Sequence, residues 1–200
     1  MDNLLRWLLL VYLLLYIGFA FVWRSFLVWK RTGINPYTLG GSDSPHDFVG
    51  RLFRLTLAAD ALVIVLYALW QDGYVYLTPI TWLQTPLLVA VGLGLLFVSL
   101  LWILLAQAQM GSAWRIGIDA ANRTELVQDG VFRFSRNPIF LGMRVTSLGL
   151  FLVLPNALTL AALILGDALV QIQVRLEEEH LSQLHGDAYR RYCQQTRRWL

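Results

Sequence analysis

The sequence predicts an all-α integral membrane protein: a bundle of about five transmembrane helices, with a helix 4–5 hairpin and a cytoplasmic C-terminal helical extension. Three observations predict it. Of the 200 residues 57% are hydrophobic and the mean hydropathy is +0.56, where soluble domains lie nearer about 45–50% apolar. The apolar residues gather into five runs near the roughly 20 residues that a helix needs to cross hydrocarbon. The basic residues fall between those runs in strict alternation.

Leu4 to Val22 is the first run. It is long for a cleavable leader and ends in Trp23-Arg24 rather than small residues, so it is read as a retained span. Leu52 to Trp70 is the second, with Asp60 its one charge, and Leu83 to Ala108 the third, with none. Ile139 to Leu154 is short and carries Arg144; Ala157 to Val174 carries Asp167. Only Pro155-Asn156 separates the last two, with Pro stopping one helix and Asn capping the next. The fifth helix is expected to continue beyond Val174 to about His185-Gly186, where Gly ends it. Thr32 to Gly50, rich in Gly, Ser, Pro and Asp, reads as an irregular connection. Residues 1–200 form one membrane domain, with the first two spans in 1–82.

The connection after span one holds Arg24, Lys30, Arg31, Arg51 and Arg54. The connection after span three holds Arg115, Arg123, Arg133 and Arg136, and the tail holds Arg175, Arg190, Arg191, Arg197 and Arg198. The other two turns hold none. Basic connections stay in the cytoplasm, so the N-terminus lies outside, the C-terminus is cytoplasmic, and a bacterial inner membrane is the expected location. Trp70, Tyr74, Tyr76 and Trp82 would form an outer aromatic belt.

A net charge of +3 gives no footprint for nucleic acid. Cys193 is the single cysteine, which excludes an intrachain disulfide and reads as a reduced thiol. His46, His180 and His185 lack metal-ligand spacing, so no metal is expected. No nucleophile elbow, phosphate loop or dinucleotide fingerprint occurs.

Chemistry concentrates in four places. Ser135-Arg136-Asn137-Pro138-Ile139-Phe140-Leu141-Gly142 is a helix start, with Asn at the N-cap and Pro in the first turn. Its free N–H groups and dipole favour an anion, and Arg136 offers a bidentate fork. Gly142 lets a ligand or a neighbouring helix approach. A plain capped helix with Arg136 on lipid headgroups satisfies the same pattern. Asp60, Arg144 and Asp167 lie in one layer inside the membrane, where unpaired ions are costly; Arg144 is expected to pair with Asp167 or Asp60. On helix five, Asp167, Gln171, Arg175 and Glu178 form a polar stripe, with Glu177 at its edge and Glu179 turned away. A solvated acidic turn is the alternative. Gly92-Leu93-Gly94 reads first as a close helix contact and second as a ligand contact.

Glu125-Leu126-Val127-Gln128-Asp129-Gly130-Val131-Phe132-Arg133, then Arg136-Asn137-Pro138-Ile139-Phe140-Leu141-Gly142, then Glu177-Glu178-x-x-Leu181 with Gly186, Tyr189 and Tyr192, together resemble one family. It is that of the isoprenylcysteine carboxyl methyltransferases and phospholipid N-methyltransferases. The likeness covers about residues 107–198. It implies that 83–200 is the catalytic half and encloses S-adenosylmethionine near the cytoplasmic face. It also implies methyl transfer to a lipophilic acceptor, an isoprenylcysteine-like carboxylate or a lipid. By the same resemblance Asn137, Pro138, Phe140, Leu141, Gly142, Glu177 and Glu178 would border the cofactor, as would Gly92 and Gly94. Arg136 would orient a carboxylate acceptor, and Glu178 would take a proton from an amine. Asn137 and Phe140 replace the family's His and Tyr. Two alternatives remain: an NADPH-dependent sterol or steroid-type membrane reductase, and a membrane scaffold without activity.

Overall fold

In the computed structural model residues 2–38, 43–117 and 124–200 are described. Arg123 therefore lies outside the described residues, as does a stretch of the first connection. Every regular element in them is helical: α1 (Asp2–Leu15), a π-helical stretch (Tyr16–Trp23), α2 (Arg24–Thr32), α3 (Pro45–Leu69), α4 (Gln71–Val75), α5 (Pro86–Met110), α6 (Pro138–Val153), α7 (Ala157–His185) and α8 (Asp187–Gln195). Four helical stretches are long and apolar enough to cross a membrane: Asn3–Thr32, Pro45–Leu69, Pro86–Ala113 and Ala157–His185. The shorter apolar α6 completes an all-helical membrane bundle.

The first connection departs from expectation. The first helix runs without interruption to Thr32, through the π-helical stretch and α2, and ends only where Gly33 takes φ +69°. Arg24, Lys30 and Arg31 are thus helical. α3 starts at Pro45 because Ser44-Pro45-x-Asp47 is a helix start rather than a loop. The Ser44 hydroxyl accepts from the Asp47 N–H at 3.1 Å, with proline in the first turn. Arg51 and Arg54 therefore stand on α3.

At the opposite, aromatic end, Trp70, Tyr76 and Trp82 are exposed, but Tyr74 turns inward and packs edge-on to Tyr67. The α6–α7 hairpin closes there as expected. Asn156 accepts from the N–H groups of Leu158 and Thr159 while the Thr159 hydroxyl accepts from the Asn156 N–H, a reciprocal cap. The Ile80 N–H bonds the Pro155 carbonyl at 2.8 Å, so the preceding turn is fastened over this corner.

α5 and α6 cross at glycine. A Cβ on Gly92 would stand 2.7 Å from the Gly149 carbonyl oxygen, and one on Gly149 would stand 3.0 Å from that of Gly92. Backbone meets backbone there. Gly142 has the same role in a neighbouring layer, where its missing Cβ leaves room for Ile103 of α5. Leu9, Val63, Ile64, Leu96, Leu150 and Val153 fill the core at the aromatic end. Between that core and the arginine-rich end the helices separate, and a cavity opens.

Candidate functional site

The arginine-rich end is held by one clamp. Arg136 precedes α6, Glu178 is on the extension of α7 beyond Val174, and Arg198 is on the tail after α8. Glu178 accepts from Arg136 Nε at 3.2 Å, from Asn137 Nδ2 at 3.0 Å and from Arg198 Nη2 at 2.7 Å. Burial alone would push the Glu178 carboxyl up. The bonds from Arg198 and Asn137 and the charge of Arg136 outweigh that and hold it below the usual carboxylate range. Arg136 also binds the tail carbonyls of Cys193 and Thr196, and its N–H bonds that of Arg197 at 2.9 Å. The tail therefore folds back across the start of α6. α8 is pinned in turn by the Tyr192 hydroxyl, which donates to the Phe132 carbonyl at 2.6 Å.

Asn137 occupies the N-cap position of α6 but caps nothing with its side chain. Its amide is spent on Glu178 and the Arg198 carbonyl. Donating to both fixes the amide plane toward the clamp and the tail, and its oxygen makes no cap bond to the first turn of α6.

A cavity of about 530 Å³ begins beside this clamp and runs inward between the helices. Arg136, Asn137, Pro138 and Phe140 line it, with Glu177 but not Glu178, Leu141 or Gly142. Gly92 serves the α5–α6 crossing, and a Cβ on Gly94 would meet nothing within 4 Å. The wall on α7 is Leu163, Gly166, Asp167, Val170, Gln173, Glu177 and Leu181. Gln171 and Arg175 instead bond each other in the open. The polar stripe expected from the sequence took the wrong branch of the i+3/i+4 choice after Asp167.

Two side chains at the cavity wall have acceptors to spare. Gln107 of α5 is 4% exposed and Gln173 of α7 is 5% exposed. Gln107 donates to the Ala20 carbonyl at 2.9 Å, and Gln173 donates to Glu177 at 3.1 Å and meets His46 Nδ1 at 2.8 Å. The Oε1 atoms of both have no hydrogen-bond partner among the described residues. Buried amide oxygens of this kind are costly unless something answers them. Burial pushes the Glu177 carboxyl up to about 7, against the bond from Gln173. Reading the sequence for charged residues missed both glutamines. Their signal was an amide near the end of an otherwise apolar run.

Deeper, Arg144 pairs with Asp167 through Nε, and its guanidinium stacks 4.6 Å from the Trp199 ring of the tail. This is the expected intramembrane pair, with Asp167 chosen over Asp60. Tyr12, Tyr16, Asp60, Thr146 and Ser147 complete the inner wall.

The family model for phospholipid methyltransferases matches residues 87–188, from the start of α5 to the start of α8. No curated protein matches the chain. The matched stretch contains the clamp's Arg136, Asn137 and Glu178, both orphaned glutamines and the Arg144–Asp167 pair, and it spans a little over half of the 200 residues. The chain belongs to the phospholipid methyltransferase family and is an integral membrane methyltransferase.

Proposed function

We propose that the chain transfers a methyl group from S-adenosylmethionine to a lipophilic acceptor, at the membrane face that its arginines mark as cytoplasmic. One observation carries the reading. A single cavity joins a polar mouth at the arginine-rich end to an apolar, aromatic interior at membrane depth. A nucleoside donor and a lipid acceptor need those two environments to meet.

The residues present fit the donor. Its adenine amine, ribose hydroxyls and ammonium are hydrogen-bond donors. Gln107, Gln173 and Glu177 line the cavity and supply acceptors; the two amide oxygens have no partner among the described residues, and Glu177 accepts one bond, from Gln173. Arg136 at the mouth complements its carboxylate. When bound, the sulfonium supplies an electrophilic methyl group and a neutral leaving thioether. The protein's own work is to hold the two partners in line and to exclude water. Glu178, saturated by two guanidiniums and an amide, acts here as a positioning residue for Arg136 and Asn137.

Isothermal titration with S-adenosylhomocysteine and with NADPH tests the donor. Binding of the first is expected, and binding of NADPH alone would overturn the proposal. Arg136→Ala and Glu178→Ala should both weaken S-adenosylhomocysteine while the helical circular dichroism persists. Incubation with radiolabelled S-adenosylmethionine and total lipid extract should label a lipid.

A further inference from the structure

Resting on the methyl-transfer reading above, we propose that His46 is a positioning residue of the S-adenosylmethionine site: by accepting from the Gln173 amide it keeps that amide's oxygen free for the ligand, and a proton on His46 turns the amide over.

The order of residues at the start of α3 puts His46 there. Ser44 caps the helix and Pro45 opens it, so His46 falls in the first turn, half-buried. α3 packs along α7. The imidazole meets an i, i+4 pair on that helix, Gln173 and Glu177. One nitrogen serves both neighbours: Gln173 Nε2 lies 2.8 Å from His46 Nδ1 and 3.1 Å from Glu177 Oε1. An amide nitrogen carries two hydrogens, and an ionised carboxylate can only accept. Each neighbour takes one hydrogen. His46 Nδ1 is therefore a bare lone pair, and the ring is the neutral tautomer protonated at Nε2.

The amide oxygen is what remains. Gln173 lines the cavity, and its buried Oε1 has no hydrogen-bond partner among the described residues. While His46 is neutral and Glu177 ionised, neither has a hydrogen to give that oxygen. The amine and hydroxyl groups of the ligand do.

A proton on His46 Nδ1 reverses the arrangement. Two N–H groups would then face each other, and the amide relieves them by turning over so that Oε1 meets the imidazolium. Oε1 then also meets Glu177, acceptor against acceptor, until that carboxylate is protonated in turn. The two sites thus take up their protons as a coupled pair. The turned amide presents Nε2–H where the oxygen stood, and the ligand's own N–H and O–H groups lose their acceptor. Both titrating groups lie outside the apolar spans, His46 before Leu52 and Glu177 beyond Val174. Asp47, next on α3, favours the His46 cation, and His180 of α7 opposes it. An ordinary imidazole titrates near about 6.5, and burial pushes Glu177 up to about 7, so the turn falls between about pH 6 and 7.5. Binding needs both groups unprotonated. Affinity is full above that window and is lost as pH falls through it.

The test is titration calorimetry of S-adenosylhomocysteine with the full chain in lipid nanodiscs, repeated in buffers of differing ionisation enthalpy to count the protons released. The wild type should release about 1.5 protons per ligand at about pH 6 and none at about pH 8.5. His46→Asn keeps an acceptor at the Nδ1 position without a titrating ring. It should bind within about threefold of wild type at about pH 8.5 and release at most about one proton at about pH 6, from Glu177 alone. A wild type that releases one proton or fewer in the acid titration would overturn the proposal, as would a His46→Asn variant that releases as many as the wild type. Should His46→Asn fail to fold, a His180→Gln, His185→Gln double variant leaves one imidazole for nitrogen-15 NMR. That ring should carry its proton on Nε2 in the alkaline buffer, and S-adenosylhomocysteine should lower its pKa; a proton on Nδ1 or an unmoved pKa would overturn the proposal. A purely structural imidazole would not respond to the ligand. Absence of binding in the alkaline titration would sink the parent reading by itself, while the tautomer stays readable in the ligand-free protein.

Discussion

Glu178→Gln isolates the charge of the clamp while keeping its volume. The carboxylate holds two guanidiniums of unequal burial. Arg136 and Glu178 are 12% and 11% exposed, whereas Arg198 is 35% exposed. A hydrogen bond to a charged group in a sheltered site contributes about 1.5–3 kcal/mol. The Arg198 contact is half in water and adds at most about 1 kcal/mol. A glutamine keeps one acceptor for Arg136 or Asn137 and turns an amide donor toward Arg198, which is itself a donor. The net loss is about 2 kcal/mol, or about 30-fold in the equilibrium that keeps the tail docked. Cys193, the chain's single thiol, reports it directly, since its carbonyl is one of the groups that Arg136 holds. Maleimide labelling of Cys193, a half-buried thiol, should accelerate in Glu178→Gln by up to about 30-fold in micelles under native conditions. The carboxyl is held low in the folded protein. Its contribution is therefore full above the ordinary value near about 4.3 and is lost as pH falls through the depressed one. The melting temperatures of wild type and variant should differ at pH 7 and converge in acid. Equal labelling rates and equal melting at pH 7 would refute the clamp as the element that docks the tail.

Four further outcomes follow from the packing and the cavity. Gly92→Ala should lower stability by about 1–3 kcal/mol, because its Cβ meets the Gly149 carbonyl and Val153 at 2.7 Å. Gly94→Ala, with open space around it, should stay within about 0.5 kcal/mol in the same thermal melt. Asn156→Ala removes the reciprocal cap of α7 and should cost about 1 kcal/mol, read from thermal unfolding in micelles. Gln173→Leu deletes an orphaned acceptor, and it should weaken S-adenosylhomocysteine about tenfold by titration, the effect of about one buried hydrogen bond.

Local signals in the chain are legible where the physics is local. Proline and asparagine at 155 and 156 mark a helix stop and a cap, and the α6–α7 corner forms there. Gly186 ends α7 with φ +53°, as its lack of a side chain allows. Arg144 and Asp167, ions too costly to leave apart in hydrocarbon, find each other. The site's finer features depend on contacts distant in sequence. Glu177 and Glu178 are adjacent, yet one faces the cavity and the other the clamp. That division is set by Arg198, twenty residues on, which no helical period reveals. Asn137 looks like a cap because of Pro138, and only the folded-back tail shows why its amide goes elsewhere. The first connection misleads for a different reason. Ser, Pro and Asp suggest a loop by composition but a helix start by order.

The brevity of α6 has its own consequence. Its 16 residues give about 24 Å of helix, against about 30 Å of hydrocarbon. With the Pro155 corner level with one boundary of the oily layer, the first turn of α6 starts about 6 Å short of the other, and Arg136 reaches up from there to Glu178 on the longer α7. Either the bilayer dimples toward the protein or headgroups follow the helix start down. A lipid drifting past would thus find a doorway already beneath its own phosphate plane. It could be modified while its tails stay in their leaflet, never having to be hauled up into water.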